Sequence, residues 1–239
     1  MTPSSQPWRP GSRIARLRAN HTYGYVLGLI FVSFLFTSFA PEAAWSSAVL
    51  VLLQSATVVV ALWTSGLGQN FRAGAIVAAI SLAAAIGQLT ADGTTLTGLV
   101  GILNVLLLVA TAAVIGLGVI DQGEVNRQSI TGAVCIYVLL GMAYTFAYSA
   151  AAKLGTGPFF AQGIDGTTSL QLYFSYVTLA TLGYGDYTPA GNLGHTLAVT
   201  EALLGQLYLV TIVALLVGNL GRRRARPEPA RAAEGDASS

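Results

Sequence analysis

The residues of this chain whose types and spacing could do chemistry stand together at 181–186, as Thr-Leu-Gly-Tyr-Gly-Asp. In ordinary β geometry successive carbonyls point to opposite sides, so aligning them on one axis requires the backbone handedness to alternate. Glycine reaches the left-handed region at little cost, which explains Gly183 and Gly185 with larger residues between them. A row of carbonyls, with the Thr181 hydroxyl at its inner end, can replace the water shell of a cation. The predicted chemistry is selective ion coordination by main-chain oxygens.

A short apolar and aromatic stretch precedes the hexapeptide and is expected to hold it. Residues 168–180 are too short to cross a membrane, so they predict a re-entrant helix that enters from outside. Asp165 and Thr167 offer side-chain acceptors for its first turn. Its C-terminal end would carry about half a negative elementary charge towards the membrane centre, which favours a cation there. The chain would then return outward through the hexapeptide, since irregular backbone at membrane depth is tolerated where it lines a watery path.

The bulk composition indicates a membrane protein. Of the 239 residues, 54% are apolar and only 9% are charged, whereas soluble domains have roughly 25% charged residues. Six apolar segments are long enough to span a bilayer, which requires about 20 residues. Each is expected to be helical, because lipid cannot satisfy backbone polar groups. The predicted spans are residues 23–40, 45–65, 72–90, 97–119, 130–152 and 195–218.

The basic residues predict the orientation of these spans. If six spans alternate, all but one of the 12 Lys and Arg residues fall on one side, and only Lys153 falls on the other. Both termini are therefore expected to be cytoplasmic, and the 153–194 connection is expected to face outward. Alternatively, the N-terminal segment is a cleaved signal peptide, which would remove the first span without changing the later topology.

These spans and loops divide the chain into five predicted segments. They are a cytoplasmic N-terminal segment, a four-helix transmembrane domain, a cytoplasmic linker, a two-helix unit that holds the hexapeptide, and a basic cytoplasmic tail. Their boundaries are 1–22, 23–120, 121–129, 130–218 and 219–239. The tail is charged, contains proline and has few apolar residues, so it is expected to be disordered.

The tract from Tyr173 to Pro189, YFSYVTLATLGYGDYTP, closely resembles the pore helix and selectivity filter of the potassium channel family. The resemblance covers about residues 130–218, which correspond to the two-helix pore unit of that family. It implies an all-α membrane protein with six transmembrane helices and a re-entrant pore helix and filter between helices five and six. Because the chain contains one copy of the motif and one strand supplies a quarter of a coordination shell, four chains are expected around one axis.

The resemblance implies roles for individual residues. The implied filter residues are Thr181, Leu182, Gly183, Tyr184 and Gly185, with a potassium ion bound at the first four. The implied outer-mouth residue is Asp186, and the implied filter-packing residues are Tyr173, Phe174 and Val177. Leu182 replaces the usual Val, but its carbonyl would do the coordination, so potassium selectivity is expected to survive. Ala180 stands where a second Thr is common, and Val177 stands where some bacterial members have a buried Glu.

Several residues of the last span allow two interpretations. Gly205 lies where the family places a hinge glycine, and a close-packing glycine explains it equally well. Glu201 and Gln206 could face the water-filled pathway or a neighbouring helix, and a contact with the pore helix is favoured for Glu201. His195 and His21 are expected at the outer and inner surfaces of the membrane.

The fourth span contains no Lys or Arg, whereas six-span potassium channels usually carry one at every third position there. Moving one charge across the membrane yields about 2.3 kcal/mol per 100 mV, so voltage gating through this helix is not expected. The expected function is passive potassium conduction across the cell membrane by a homotetramer. Its partners would be potassium ions and lipids, without nucleic acid, a cofactor or enzyme activity. The alternatives are a weakly selective cation channel and a non-conducting scaffold or regulatory subunit.

Overall fold

The computed structural model describes residues 22–64, 71–90, 93–121 and 127–224. These residues form seven helices. They are α1 (Thr22–Phe39), α2 (Ala44–Thr64), α3 (Phe71–Thr90), α4 (Thr94–Asp121), α5 (Arg127–Leu154), α6 (Thr168–Leu179) and α7 (Asn192–Arg224). The described residues contain no β-strand, only an isolated antiparallel bridge between Phe160 and Pro189. The prediction of an all-α fold is therefore confirmed for this part of the chain.

The six longer helices lie where the sequence predicts spans. The apolar stretches in α2, α4, α5 and α7 are long enough to cross a membrane, whereas those in α1 and α3 are shorter. The count of six spans therefore stays a prediction. Helix α7 continues to Arg224, six residues beyond the predicted end of the last span at residue 218, and the end of the span itself stays a prediction. Arginine is a good helix former, which explains the extension.

Three predictions concern residues outside the described ranges. These are the cytoplasmic N-terminal segment with its signal-peptide alternative, the position of His21, and the disorder of the tail beyond residue 224.

One packed interior joins the front helices to the two-helix unit. Ile30 of α1, Met142 of α5 and Leu172 of α6 are buried together in the same apolar cluster. Helices in lipid gain little from hydrophobic burial, so small residues that permit close approach matter more. A Cβ on Gly101 of α4 would lie 3.2 Å from the Cβ of Ala150 on α5. The front helices are therefore packed directly against the unit that carries the hexapeptide.

Candidate ion-binding site

The helix that precedes the hexapeptide, α6, begins and ends close to where the sequence predicts. The hydroxyl of Thr167 accepts a hydrogen bond from the amide of Leu170 at 3.1 Å, which satisfies one free donor of the first turn. At the other end, the amide of Ala180 donates to the Tyr176 carbonyl at 3.0 Å. The helix has 12 residues and leads directly into the hexapeptide.

The backbone of the hexapeptide alternates in handedness. Thr181, Gly183 and Gly185 have positive φ angles of 57°, 55° and 75°, and the residues between them do not. This alternation is the geometry that the sequence requires to turn successive carbonyls towards one axis. The glycines predict two of these positions. Thr181 is unexpected, because a β-branched residue rarely adopts a positive φ and its residue type gives no signal for one.

The carbonyl of Val177 fixes the point at which the chain leaves α6. It accepts hydrogen bonds from the amide of Leu182 at 2.9 Å and from the amide of Gly183 at 3.3 Å. The Val177 side chain is itself buried within the chain. The position of α6 therefore constrains the first residues of the hexapeptide through main-chain hydrogen bonds.

The side chains of the hexapeptide are exposed in the single chain. Leu182 is 58% and Tyr184 is 66% exposed. A Cβ added to Gly183 or Gly185 would meet no atom within 4 Å. The packing that the sequence leads us to expect around Leu182 and Tyr184 is therefore not supplied by the described residues of their own chain.

The outer end of the hexapeptide is held by hydrogen bonds to Asp186. Its carboxylate Oδ2 accepts from the Tyr173 hydroxyl at 2.7 Å, and its main-chain oxygen accepts from the Gln162 side chain at 2.8 Å. The bond to the Asp186 carboxylate raises the pKa of Tyr173 to about 12. Gln162 was not predicted, because it lies in a loop with no pattern that would relate it to the hexapeptide. Tyr173 thus connects α6 to the outer mouth.

If the hexapeptide conducts potassium, as its resemblance implies, we expect Tyr173→Phe to keep α6 in place but to loosen the end of the hexapeptide at Asp186, so that potassium flux in a sustained assay declines a few-fold faster. The reason is that the Asp186 carboxylate loses a donor while the ring remains. Time-resolved flux from proteoliposomes measures this decline. The contribution of the hydroxyl is present below the ordinary tyrosine pKa of about 10 and is lost as the pH rises through about 12. Tyr187→Phe is the control, and an equal effect in both variants would contradict the assignment.

Phe174 lies in an aromatic cluster of the two-helix unit. Its ring centroid is 5.1 Å from that of Tyr148 on α5 and 5.4 Å from that of Phe160. Phe160 in turn contacts Tyr187, which follows the hexapeptide, at 5.5 Å. Edge-to-face pairs of this kind add specific contacts beyond burial. The cluster therefore connects the loop after α5, helix α6 and the segment that follows the hexapeptide.

Helix α1 of the front unit contacts α6 along one line. The residues involved on α1 and its following loop are spaced four apart, and their partners run in the opposite direction on α6. The contacts are the ring pair Phe34–Tyr176 at 5.2 Å, the Ser169 hydroxyl to the Ser38 carbonyl at 3.0 Å, and the Thr168 amide to the Glu42 carboxylate at 2.7 Å. Nothing in the sequence predicts this line of contacts, since the last pair lies 126 residues apart.

Helix α7 passes very close to the end of α6. A Cβ added to Gly205 would lie 2.6 Å from the Leu179 carbonyl oxygen and 2.7 Å from the Leu179 Cδ1. The structure thus shows a close-packing role for Gly205, and the hinge role stays a proposal. Glu201, one turn earlier, is buried against α5 and α6, whereas Gln206 is exposed. His195 is exposed, with its Nε2 lying 2.8 Å from the Pro189 carbonyl oxygen.

Among the described residues, little of the chain covers α7. Within its apolar part, Asn192–Leu215, only 11% of the most apolar 18-residue stretch is buried. The exposed large apolar side chains include Leu203, Leu204, Leu207, Val210 and Val213. At 3.6 residues per turn, these five positions lie on one half of the helix circumference, and the exposed Leu209 and Leu215 widen this apolar surface on either side. The surroundings of α7 must therefore come from lipid, from a water-filled pathway or from other copies of the chain.

Comparison with known proteins agrees with this geometry. Residues 132–221 match a family described as an ion channel. The chain is 31% identical over 106 residues to the inward rectifier potassium channel Kirbac3.1 of Paramagnetospirillum magnetotacticum, covering 44% of this chain and 36% of that protein. It is 43% identical over 56 residues to "Probable potassium channel protein 2" of Methanocaldococcus jannaschii, covering 22% of this chain and 16% of the other. No solved structure is significantly similar.

A third relative is Protein LctB of Geobacillus stearothermophilus, which is 46% identical over 52 residues, or 22% of this chain and 38% of that protein. The chain thus spans well under half the length of each of these relatives. The match of residues 132–221 to an ion channel family, together with the apolar helices, indicates a multi-pass membrane protein. Residues 132–221 thus match an ion channel family, and two of the similar proteins are described as potassium channels.

Proposed function

We propose that the chain forms a homotetrameric, potassium-selective channel that conducts K⁺ passively. Four copies of residues 181–185 would surround one axis, with ions bound by the carbonyls of Thr181, Leu182, Gly183 and Tyr184 and by the Thr181 hydroxyl. The observation that carries the proposal is the alternation of positive φ at residues 181, 183 and 185. Alternating handedness is what a row of carbonyls needs in order to replace the hydration shell of an ion.

Two features support the tetramer. The filter motif occurs once in the chain, so a complete coordination shell needs further copies. The side chains of Leu182 and Tyr184 and most of α7 are exposed in one chain and offer apolar surface to neighbours. If a single chain formed the complete site, these side chains would be expected to be mostly buried within it. A closed ring of identical subunits is the usual way in which such surfaces are covered.

Six spans, cytoplasmic termini and a location in the cell membrane complete the proposal. The 181–186 segment would then lie towards the outer side, with the C-terminal end of α6 aimed at the membrane centre. Gating would not depend on voltage through α4, since the 97–119 segment carries no Lys or Arg. The contacts of α1 with α6 suit the front helices to a role in supporting the pore helix.

In this proposal, Leu182 contributes to ion selectivity through its main-chain carbonyl and not through its side chain. Its side chain is exposed in one chain and would face a neighbouring subunit, whereas its carbonyl would face the ion. Ala180 lies before the coordinating residues. We therefore expect both departures from the common pattern to change packing more than ion preference.

Flux from proteoliposomes tests the function. Purified protein is expected to pass potassium well ahead of sodium and to be blocked by barium, because the proposed site replaces the hydration shell of K⁺. Empty liposomes and the same protein with barium present are the controls. Equal potassium and sodium flux would replace the proposal with a weakly selective cation channel. The absence of flux from a cross-linked, confirmed tetramer would instead favour a non-conducting scaffold.

A further inference from the structure

Glu201 is a fully buried acid in a helix that is otherwise mostly exposed. Its exposed fraction is 0%, compared with 57% for Leu203 two residues later. The carboxyl Oε2 lies 2.5 Å from the Tyr148 hydroxyl of α5, and Oε1 lies 2.5 Å from the Ser175 hydroxyl of α6. One side chain of α7 therefore connects both other helices of the channel domain.

The titratable side chains that surround this carboxyl are all tyrosines, which carry no charge at neutral pH because the ordinary tyrosine pKa is about 10. They are Tyr137, Tyr144 and Tyr148 on α5 and Tyr176 on α6. Within the described residues, its hydrogen-bond partners are the hydroxyls of Ser175 and Tyr148, and neither carries a positive charge. An ionised carboxylate in such surroundings would be an unpaired charge, which proteins avoid by keeping the group neutral.

The count of hydrogen atoms leads to the same protonation state. The Ser175 hydroxyl lies 2.7 Å from the Gly141 carbonyl oxygen as well as 2.5 Å from Glu201 Oε1. With the Tyr148 contact, the group has three short oxygen–oxygen contacts, and each needs one hydrogen. The serine and tyrosine hydroxyls supply two hydrogens, since each carries a single donor. A proton on Glu201 Oε1 would supply the third: the carboxylic acid would donate to Ser175, and Ser175 would donate to the Gly141 carbonyl.

The location of Ser175 connects this network to the filter. Ser175 lies two residues before Val177, whose carbonyl accepts the amides of Leu182 and Gly183. One turn along both helices, Gly205 of α7 meets Leu179 of α6. The two contacts share one face of each helix, because residues four apart lie one above the other. Glu201 and Gly205 therefore contact α6 at two successive turns of the same helix face.

We propose that Glu201 is a neutral carboxylic acid that positions the selectivity filter by fixing α6 against α5 and α7. The inference about flux rests on the proposed channel function, whereas the protonation state does not. Glu201→Gln preserves the network, since its amide donates to Ser175 and its oxygen accepts from Tyr148. Glu201→Leu keeps the size of the side chain and removes every hydrogen bond.

Infrared spectroscopy of the purified tetramer tests the protonation state without any need for conduction. At neutral pH we expect a carbonyl band of a protonated carboxylic acid in the wild type, which shifts on ¹³C labelling of glutamate and disappears in Glu201→Gln. The absence of that band in a folded wild-type tetramer would overturn the proposal. Its presence would stand even if the protein passed no ions.

Flux variants test the positioning role. Relative to wild type, we expect potassium flux to be nearly unchanged in Glu201→Gln and lowered about tenfold in Glu201→Leu, which leaves buried hydroxyls without partners. Alkaline pH should lower wild-type flux more than Glu201→Gln flux, because both retain the same tyrosines and only the wild type has a proton to lose at position 201. Equal loss in both variants, or equal pH profiles, would overturn the role.

A pair of tyrosines on α5 provides the matched control. Tyr148→Phe removes the donor to Glu201, and we expect it to lower flux several-fold. Tyr144 lies one turn earlier and also bonds to α7, through Thr200 at 3.2 Å. We expect Tyr144→Phe to behave like the wild type. An equal loss of flux in the two variants would mean that flux depends on hydrogen bonds between α5 and α7 in general. The specific role of Glu201 would then be refuted.

Discussion

Alanine at Gly183 or Gly185 is expected to abolish potassium flux while the tetramer still assembles. These residues have φ angles of 55° and 75°, in the region that L side chains rarely adopt. The left-handed conformation costs a residue with a Cβ roughly 1–2 kcal/mol, and four subunits would incur that cost around one axis. Rotation of the backbone out of this region relieves the strain, but it turns a carbonyl away from the ion. One layer of the coordination shell is then lost.

The measurement combines flux with chemical cross-linking, so that loss of conduction can be separated from loss of assembly. Gly191→Ala is the matched control, because a Cβ there also meets no atom within 4 Å and its φ is not positive. We expect Gly191→Ala to conduct like the wild type. Retained potassium selectivity in both filter variants would contradict the filter assignment.

The helices and the hexapeptide can be predicted from the sequence because each depends on local properties. A long apolar run in lipid has one backbone solution, so the positions of α2, α4 and α5 follow from length and composition. The glycines at 183 and 185 follow from the left-handed backbone that only glycine reaches cheaply. The start of α6 follows from the side-chain acceptor at Thr167, which lies next to the first free amides of the helix.

The contacts that hold the hexapeptide cannot be predicted in this way, because they join residues distant in sequence. Glu42 bonds to the first amide of α6, and Tyr173 bonds to Asp186, through side-chain directions that only the packed chain determines. The positive φ of Thr181 is imposed by its surroundings against its own preference. For Glu201, the sequence indicates an unusual intramembrane acid but leaves open which helix it faces.

Gly205→Ala is expected to push α7 away from α6 and to lower both tetramer stability and potassium flux. The added Cβ would lie 2.6 Å from the Leu179 carbonyl oxygen, a backbone atom that cannot rotate away as a side chain can. Leu179 ends α6 two residues before Thr181, so a displacement there reaches the filter. Overpacking of this kind costs typically about 1–3 kcal/mol.

Thermal unfolding of the tetramer separates close packing from a hinge, because the two interpretations predict opposite signs. Alanine favours a helix interior over glycine by about 1 kcal/mol, so loss of a mere hinge would leave stability unchanged or raised. Close packing predicts a lower unfolding temperature for Gly205→Ala and partial recovery in Gly205→Ala/Leu179→Ala, where the side-chain part of the clash is removed. Gly28→Ala in α1 is the control, since a Cβ there meets no atom within 4 Å. An unfolding temperature at or above that of the wild type, with flux lost, would make Gly205 a hinge and would refute the packing argument.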